Sequence, residues 1–221
     1  MTIKQLVAGT AVAGAAMMAG PVMALDLTGN VGAFSSYMFR GVDQAGVAAI
    51  QGGIDATAEG GLYAGVWASN LADGESEVDL YVGYTIGTLD IGYVFYGYPE
   101  STKLNSSEIY VAYGIGNVAL QAFYSPEYGD TEDESFYVSA SYAHALSETL
   151  SLTPQVGYSF GDGIETGLLA GAEDSYIDFS LALTKSLDND FEFSFGVYGN
   201  NEKELLGKEK LVVSLKKTFD L

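Results

Sequence analysis

The sequence predicts an all-β fold, a single up-and-down antiparallel transmembrane β-barrel with twelve strands as the expected number. Three observations carry it. Apolar and polar residues alternate with period two in stretch after stretch, the spacing of side chains on opposite faces of a strand. Short connections alternate strictly with longer polar ones, as in a sheet whose two ends differ. After residue 24 no apolar run reaches the ~20 residues of a helical span, which leaves strands as the only means of crossing a bilayer.

The first 24 residues stand apart from this pattern. Lys4 supplies a positive start, Leu6 to Met18 is apolar and rich in Ala and Gly, and Val22 and Ala24 occupy cleavage positions after Pro21. We expect a secretory signal peptide over 1–24, cleaved after Ala24, and one barrel domain over 25–221.

The strands follow in order. Leu27, Val31, Ala33, Tyr37 and Phe39 share one face, opposite Thr28, Asn30, Ser36 and Arg40. Ala48, Ile50, Ile54 and Ala56 lie opposite Gln51, Gly53 and Asp55; Leu62, Ala64, Val66 and Ala68 lie opposite Tyr63, Gly65 and Trp67. The clearest hairpin runs from Glu77 to Tyr98. Val78, Leu80, Val82, Tyr84 and Ile86 alternate with Glu77, Asp79 and Tyr81, Gly87-Thr88 turns the chain, and Leu89, Ile91, Tyr93 and Phe95 alternate with Asp90, Val94, Tyr96 and Tyr98. Ile109, Val111 and Tyr113 oppose Glu108 and Tyr110; Val118, Leu120, Ala122 and Tyr124 oppose Gln121 and Phe123. Phe136, Val138, Ala140 and Tyr142 oppose Tyr137 and Ser139, and Val156, Tyr158 and Phe160 oppose Gln155 and Gly157. Ile177, Phe179, Leu181 and Leu183 oppose Asp178; Phe191, Phe193, Phe195 and Val197 oppose Glu192 and Tyr198; Leu211, Val213, Leu215 and Phe219 oppose Lys216. Pro154 sits inside the ninth stretch and cannot donate to a ladder, so a bulge or a later strand start is expected there. Short turns fall at 59–60, 87–88, 114–117, 147–149 and 187–189; longer connections fall at 41–47, 70–76, 99–106, 126–134, 161–174 and 200–208.

Alternation is shared with soluble β-sandwiches, and four features favour a membrane barrel. The polar face is rich in Gly, Ser, Tyr and acids and poor in Lys, unlike a mixed-charge water-facing surface. Aromatics such as Tyr84, Phe95, Tyr124, Tyr142 and Phe160, with Tyr37 and Phe39, fall near strand ends on the apolar face, as in interfacial girdles. Most stretches have the ~9–11 residues of a tilted crossing. Closure removes the edges that a long sheet would otherwise expose.

Composition narrows the partners. The chain has 29 Asp and Glu against 9 Lys and Arg, a formal net charge of −20, which excludes nucleic acid as a partner. It contains no Cys, so packing and backbone pairing must hold it without disulfides. No cofactor or metal motif is found. The acidic stretches Asp73 to Glu77 and Glu127 to Glu134 could hold divalent ions that bridge lipopolysaccharide, but neither has calcium-loop spacing, and a solvated surface is the expectation. His144, the single His, falls on the apolar face without a nucleophile pair, so no enzymatic activity is expected.

If the apolar set faces lipid, the other set faces the lumen. The candidate pore-lining residues are Arg40, Asp55, Trp67, Glu77, Asp79, Tyr81, Asp90, Tyr96, Tyr98, Glu108, Tyr110, Tyr137, Asp178, Glu192 and Lys216. Acids outnumber bases among them, which points to a cation-preferring passage. The alternative is internal pairing that seals the barrel, with Glu192 and Lys216 matched across one hairpin and Arg40 on an acid near the outer end. The inward aromatics are expected to fill a lumen of this strand number, with a stacking track for an apolar or sugar-like solute as the sharper alternative.

Several pieces together resemble a known family. They are Ser35-Ser36-Tyr37-Met38-Phe39-Arg40-Gly41-Val42-Asp43-Gln44, Ile50-Gln51-Gly52-Gly53-Ile54-Asp55, Leu62 to Asn70, Glu77 to Tyr84, Tyr96-Gly97-Tyr98-Pro99 and Ser107 to Tyr110. The match is dense from residue 35 to about 114, and it resembles the TorF-like porins of Gram-negative bacteria. That resemblance implies an outer-membrane barrel acting as a pore, surrounded by outer-membrane lipid and lipopolysaccharide and inserted by the barrel-assembly machinery. The Thr218-Phe219-Asp220-Leu221 end departs from the usual closing Phe and keeps a weakened assembly signal. The expected function is passive diffusion of small polar solutes or cations; the alternative is a closed barrel with a structural or surface role through its acidic loops.

Overall fold

The computed structural model describes residues 25–169, 173–202, 205 and 209–221. The expected signal peptide lies outside the described residues. The elements run β1 (Leu25–Phe34), β2 (Met38–Phe39), β3 (Val42–Asp43), β4 (Ala49–Ala58), β5 (Leu62–Asn70), β6 (Ser76–Ile86), β7 (Leu89–Gly97), β8 (Ser106–Ile115), β9 (Val118–Ser125), β10 (Ser135–Tyr142), β11 (His144–Ala145) and β12 (Leu150–Phe160). They continue with a short helix α1 (Asp162–Gly167), then β13 (Ser175–Ser186), β14 (Phe191–Asn200) and β15 (Lys210–Asp220). Sequential strands pair antiparallel throughout, and β1 pairs with both β4 and β15. The ring is therefore closed, a twelve-stranded barrel in which β10 and β11 together make one staves' width. The inner β2–β3 hairpin belongs to no barrel strand.

The two periodic faces separate as alternation dictates. Leu80, Val82, Ile91, Val111, Leu120, Leu181 and Leu215 point outward and are exposed on the barrel surface. Such a continuous apolar face is stable against lipid and not against water. At its long-loop end Phe136, Phe160 and Tyr158 stack in series with Tyr124 tilted against Phe136, ring centroids 5.0–5.1 Å apart, and at the other end Tyr142 stacks on His144. Aromatic contacts at both ends of the apolar face match the interfacial girdles of a bilayer-spanning belt. Short turns close the other end, where Gly87 and Gly116 adopt positive φ in tight reversals that a side chain would strain.

Inside, tyrosines lie over glycines of the neighbouring strand. Tyr63 is opposite Gly83 and Tyr110 is opposite Gly92, and a Cβ on either glycine would enter the facing ring. Glycine thus removes the one atom that would hold each ring off the wall.

Two expectations are corrected. The first strand ends at Phe34, not near Arg40, and the following segment turns into the barrel. Tyr37 and Phe39 therefore do not face lipid; Tyr37 is 6% exposed and packs inside. The cause is local: Arg40 and Gly41 both have positive φ, making a two-residue reversal between β2 and β3, while Asp43 accepts from Ser36 Oγ at 2.6 Å and from the amides of Ala45 and Gly46. At Pro154 there is neither bulge nor late start. β12 runs through it and keeps its register with β13; the partner strand breaks instead, between Tyr142 and His144, where Pro154 has no N–H to offer.

Candidate functional site: the lumen constriction

The segment from Ser35 to Ala48 folds inward and crosses the outer half of the lumen. At its base, Tyr37 meets Trp67 edge-on at 5.4 Å and donates its hydroxyl to Glu77 at 3.2 Å. Asp43 also pairs with Lys210 on β15. Farther in, Phe39 packs edge-on against Tyr96 at 5.9 Å. At the tip, Arg40 donates to both oxygens of Glu108, at 2.8 and 2.7 Å, with side chains 7% and 3% exposed. The guanidinium also lies 4.7, 5.0 and 4.2 Å from the ring centroids of Phe39, Phe123 and Tyr137. Tyr96 adds its hydroxyl to Glu108 at 2.8 Å. Gly41 fits against Gly199, and its carbonyl accepts from Asn200 Nδ2 at 2.8 Å. The hairpin is thus pinned on β8 at one side and on β14 at the other.

Above it, the outer loops form an apolar cap. Ile164 and Leu168 from the α1 region, Leu169, Tyr128, Leu205 and Val42 of the hairpin pack together with Tyr176. Burial pushes the Tyr128 phenol above its ordinary value, with Arg40 pulling it down and Glu108 pushing it up. At the rim, hydrogen bonds from the Ser76 amide and hydroxyl hold the exposed Glu100 carboxyl below its usual range.

The predicted lining residues fall into three groups. Trp67, Glu77, Asp79, Tyr96, Tyr98, Glu108, Tyr110, Tyr137 and Asp178 surround the hairpin that carries Arg40, with Tyr137 donating to Asp178 Oδ1 at 3.4 Å. Arg40 reaches the lumen from the hairpin tip rather than from a strand. Asp55 and Asp90 lie nearer the short-turn end, where Tyr81 donates to Asp55 at 2.6 Å and Tyr63 to Asp90 at 2.8 Å; Tyr63 and Tyr110 share a further hydroxyl hydrogen bond. Glu192 and Lys216 stand apart at the short-turn rim. They are opposite in register, yet no ion pair forms between them among the described residues. The other wall is more polar: β12 to β15 present Ser151, Thr153, Gln155, Ser180, Thr184, Ser194 and Ser214, with Tyr176 and Tyr198 as its inward aromatics toward the long-loop end.

Sequence reasoning missed Tyr37, Asp43, Lys210 and the apolar cap. A signal for the hairpin was available in Phe39-Arg40-Gly41-Val42, a two-residue Gly-containing break between apolar residues. Nothing in the sequence pattern pointed to the cap, whose members come from separate loops.

Solved structures share this architecture. The KdgM porin in complex with disordered oligogalacturonate is similar at TM-score 0.57 and 8% identity, over 88% of this chain and 99% of that one. The NanC porin aligns at TM-score 0.53 and 11% identity, over 90% and 100%. An outer-membrane channel from Pseudomonas putida F1 aligns at TM-score 0.51 and 12% identity, over 92% and 97%. At these identities the likeness shows the fold, a transmembrane barrel of the outer-membrane porin type. No curated protein matches the sequence. A family profile covers residues 18–219, and with that coverage the chain belongs to Gcw_chp, a family described as bacterial proteins of unknown function.

Proposed function

We propose that the protein is a porin-like channel of the Gram-negative outer membrane, of the TorF-like type its sequence resembles. It is exported with the leader removed after Ala24 and inserted by the barrel-assembly machinery among lipid and lipopolysaccharide. Its work is passive diffusion of small polar solutes with a preference for cations, and no catalytic step is assigned to it.

The observation that carries this reading is the charge left on the inner wall once ion pairs are set aside. Arg40 is matched by Glu108 and Lys210 by Asp43. Apart from the buried Glu77 and Asp79, the acids Asp55, Asp90, Asp178 and Glu192 then face Lys216 alone among the inward groups named above. A narrow passage lined this way lowers the energy of cations and raises that of anions. The KdgM porin is described with oligogalacturonate, a polyanion; the acidic lumen here disfavours such a solute. Below the hairpin, the polar positions Ser151, Thr153, Gln155, Ser180, Thr184 and Ser194 of β12 to β14 are the favoured side for the path, since Tyr63, Tyr81 and Tyr110 crowd the opposite side.

A second reading is favoured by the hairpin and the loop cap, which together fill the outer half: a closed barrel with a structural or surface role. Purified protein in planar bilayers separates the two. Discrete conductance steps, with a reversal potential of cation sign in a KCl gradient, support the channel. Folded protein that gives no steps in any voltage range refutes it and leaves the closed barrel.

A further inference from the structure

Asp79 is 1% exposed, and neither of its carboxylate oxygens has a hydrogen-bond partner among the described residues. An ionised carboxylate buried without a partner is strongly unfavourable. Its surroundings add negative charge. Glu77, two residues earlier on the same face of β6, is also buried and receives only the Tyr37 hydroxyl. Glu108, two strands away, is already matched by Arg40 and Tyr96. No Lys or Arg pairs with Glu77 or Asp79 among the described residues.

We propose that Glu77 and Asp79 together hold a hard divalent cation of the Ca²⁺ class. Two anionic oxygen donors on one face of β6 match a double positive charge, and the Tyr37 hydroxyl at Glu77 is an oxygen as well. No three His, Cys, Asp or Glu side chains converge as a metal cluster among the described residues. The ion therefore takes the two carboxylates and the adjacent Tyr37 hydroxyl oxygen, and waters that it carries in with it complete the shell, an incomplete protein cage that Ca²⁺ tolerates through its flexible coordination. The approach is built into the same strand. Glu75 precedes Glu77 by two residues, and Glu100 is held beside it by Ser76, with Ser101 donating to Glu75 at 2.8 Å. This acidic ladder concentrates cations where the strand enters the barrel. The bound ion neutralises the wall against which the hairpin base rests, and it does so whether or not the barrel conducts.

Trp67 is the single Trp of the chain and lies directly opposite Asp79 in the β5–β6 register. Detergent-folded protein is titrated with Tb³⁺ while Trp67 is excited. The expected result is saturable sensitised emission that Ca²⁺ displaces and K⁺ at equal ionic strength does not. Asp79→Asn and Glu77→Gln each remove the saturable signal. Trp67→Phe dims the emission, while calorimetry still records Ca²⁺ binding. Wild-type protein without saturable emission overturns the proposal and leaves the carboxyl pair protonated. Folded Asp79→Asn and Glu77→Gln proteins that bind as wild type overturn it too, moving the ions to the acidic loops. Heat-modifiable mobility establishes folding, and if one variant does not fold, the other decides.

Discussion

Replacing Arg40 with Ala tests the pinned hairpin directly. Arg40 closes a bidentate ion pair with Glu108 in which both side chains are nearly buried, and its guanidinium lies over three aromatic rings. Removing one partner of a buried pair costs about 3–5 kcal/mol, because the other charge is left without compensation. Taking about 4 kcal/mol, the ratio of pinned to released hairpin falls roughly a thousandfold. Two readouts follow. Single-channel recordings of Arg40→Ala should show larger or more frequent open steps than wild type, with stronger cation preference from the unpaired Glu108. Urea titration of the folded barrel should show a lower midpoint. The double variant Arg40→Ala/Glu108→Ala should recover stability relative to Arg40→Ala alone, since no buried charge is orphaned, while keeping the larger conductance. Unchanged conductance and unchanged midpoint in Arg40→Ala would refute the view that this pair holds the hairpin across the lumen.

Three further outcomes are expected. Leu181→Arg places a charge in the middle of the outward face of β13 and should cost about 2–4 kcal/mol in lipid, whereas Ser180→Arg, one residue earlier and inward, should fold and lower cation conductance; equal folding yields for the two in lipid would contradict the assignment of faces. Gly92→Val drives a side chain into the Tyr110 ring and should destabilise by about 1–3 kcal/mol, read as a drop in the heat-modifiability midpoint; an unchanged midpoint would mean the ring does not need the glycine. Asp55→Asn with Asp90→Asn keeps an oxygen to accept from Tyr81 and Tyr63 but removes two lumenal charges, so the reversal potential should move toward zero in a KCl gradient with the fold retained.

Much of the barrel is legible in the sequence. A strand that is lipid-facing on one side and lumen-facing on the other must alternate along its whole length, and a slip of one residue would invert every side chain. Leu80 and Asp79, or Leu181 and Asp178, are therefore assigned to opposite faces by position alone. The same reasoning misplaced Tyr37 and Phe39. Ser35 to Arg40 continues the alternation of β1, and an inner hairpin alternates by the same rule as a barrel strand, so the pattern cannot distinguish them. What separates them is long-range: Glu108 lies 68 residues from Arg40, and Lys210 lies 167 from Asp43. Pro154 was misjudged for a related reason. The missing donor harms whichever strand it faces, and only the neighbour's geometry shows that the break falls at Tyr142 to His144.

Strand number, the lipid-facing set and the acidic character of the inner wall were written in local periodicity and composition, because each follows from neighbours along the chain. The identity of the constriction was not. Which carboxylates Arg40 and Lys210 satisfy, which of them Asp79 is left without, and which loops meet over the mouth depend on contacts that exist only after the ring has closed and brought β6, β8 and β14 around one space. Closure turns a row of inward acids that look equivalent in sequence into paired, hydroxyl-bonded and unpartnered ones, and that difference carries both the proposed selectivity and the proposed ion site.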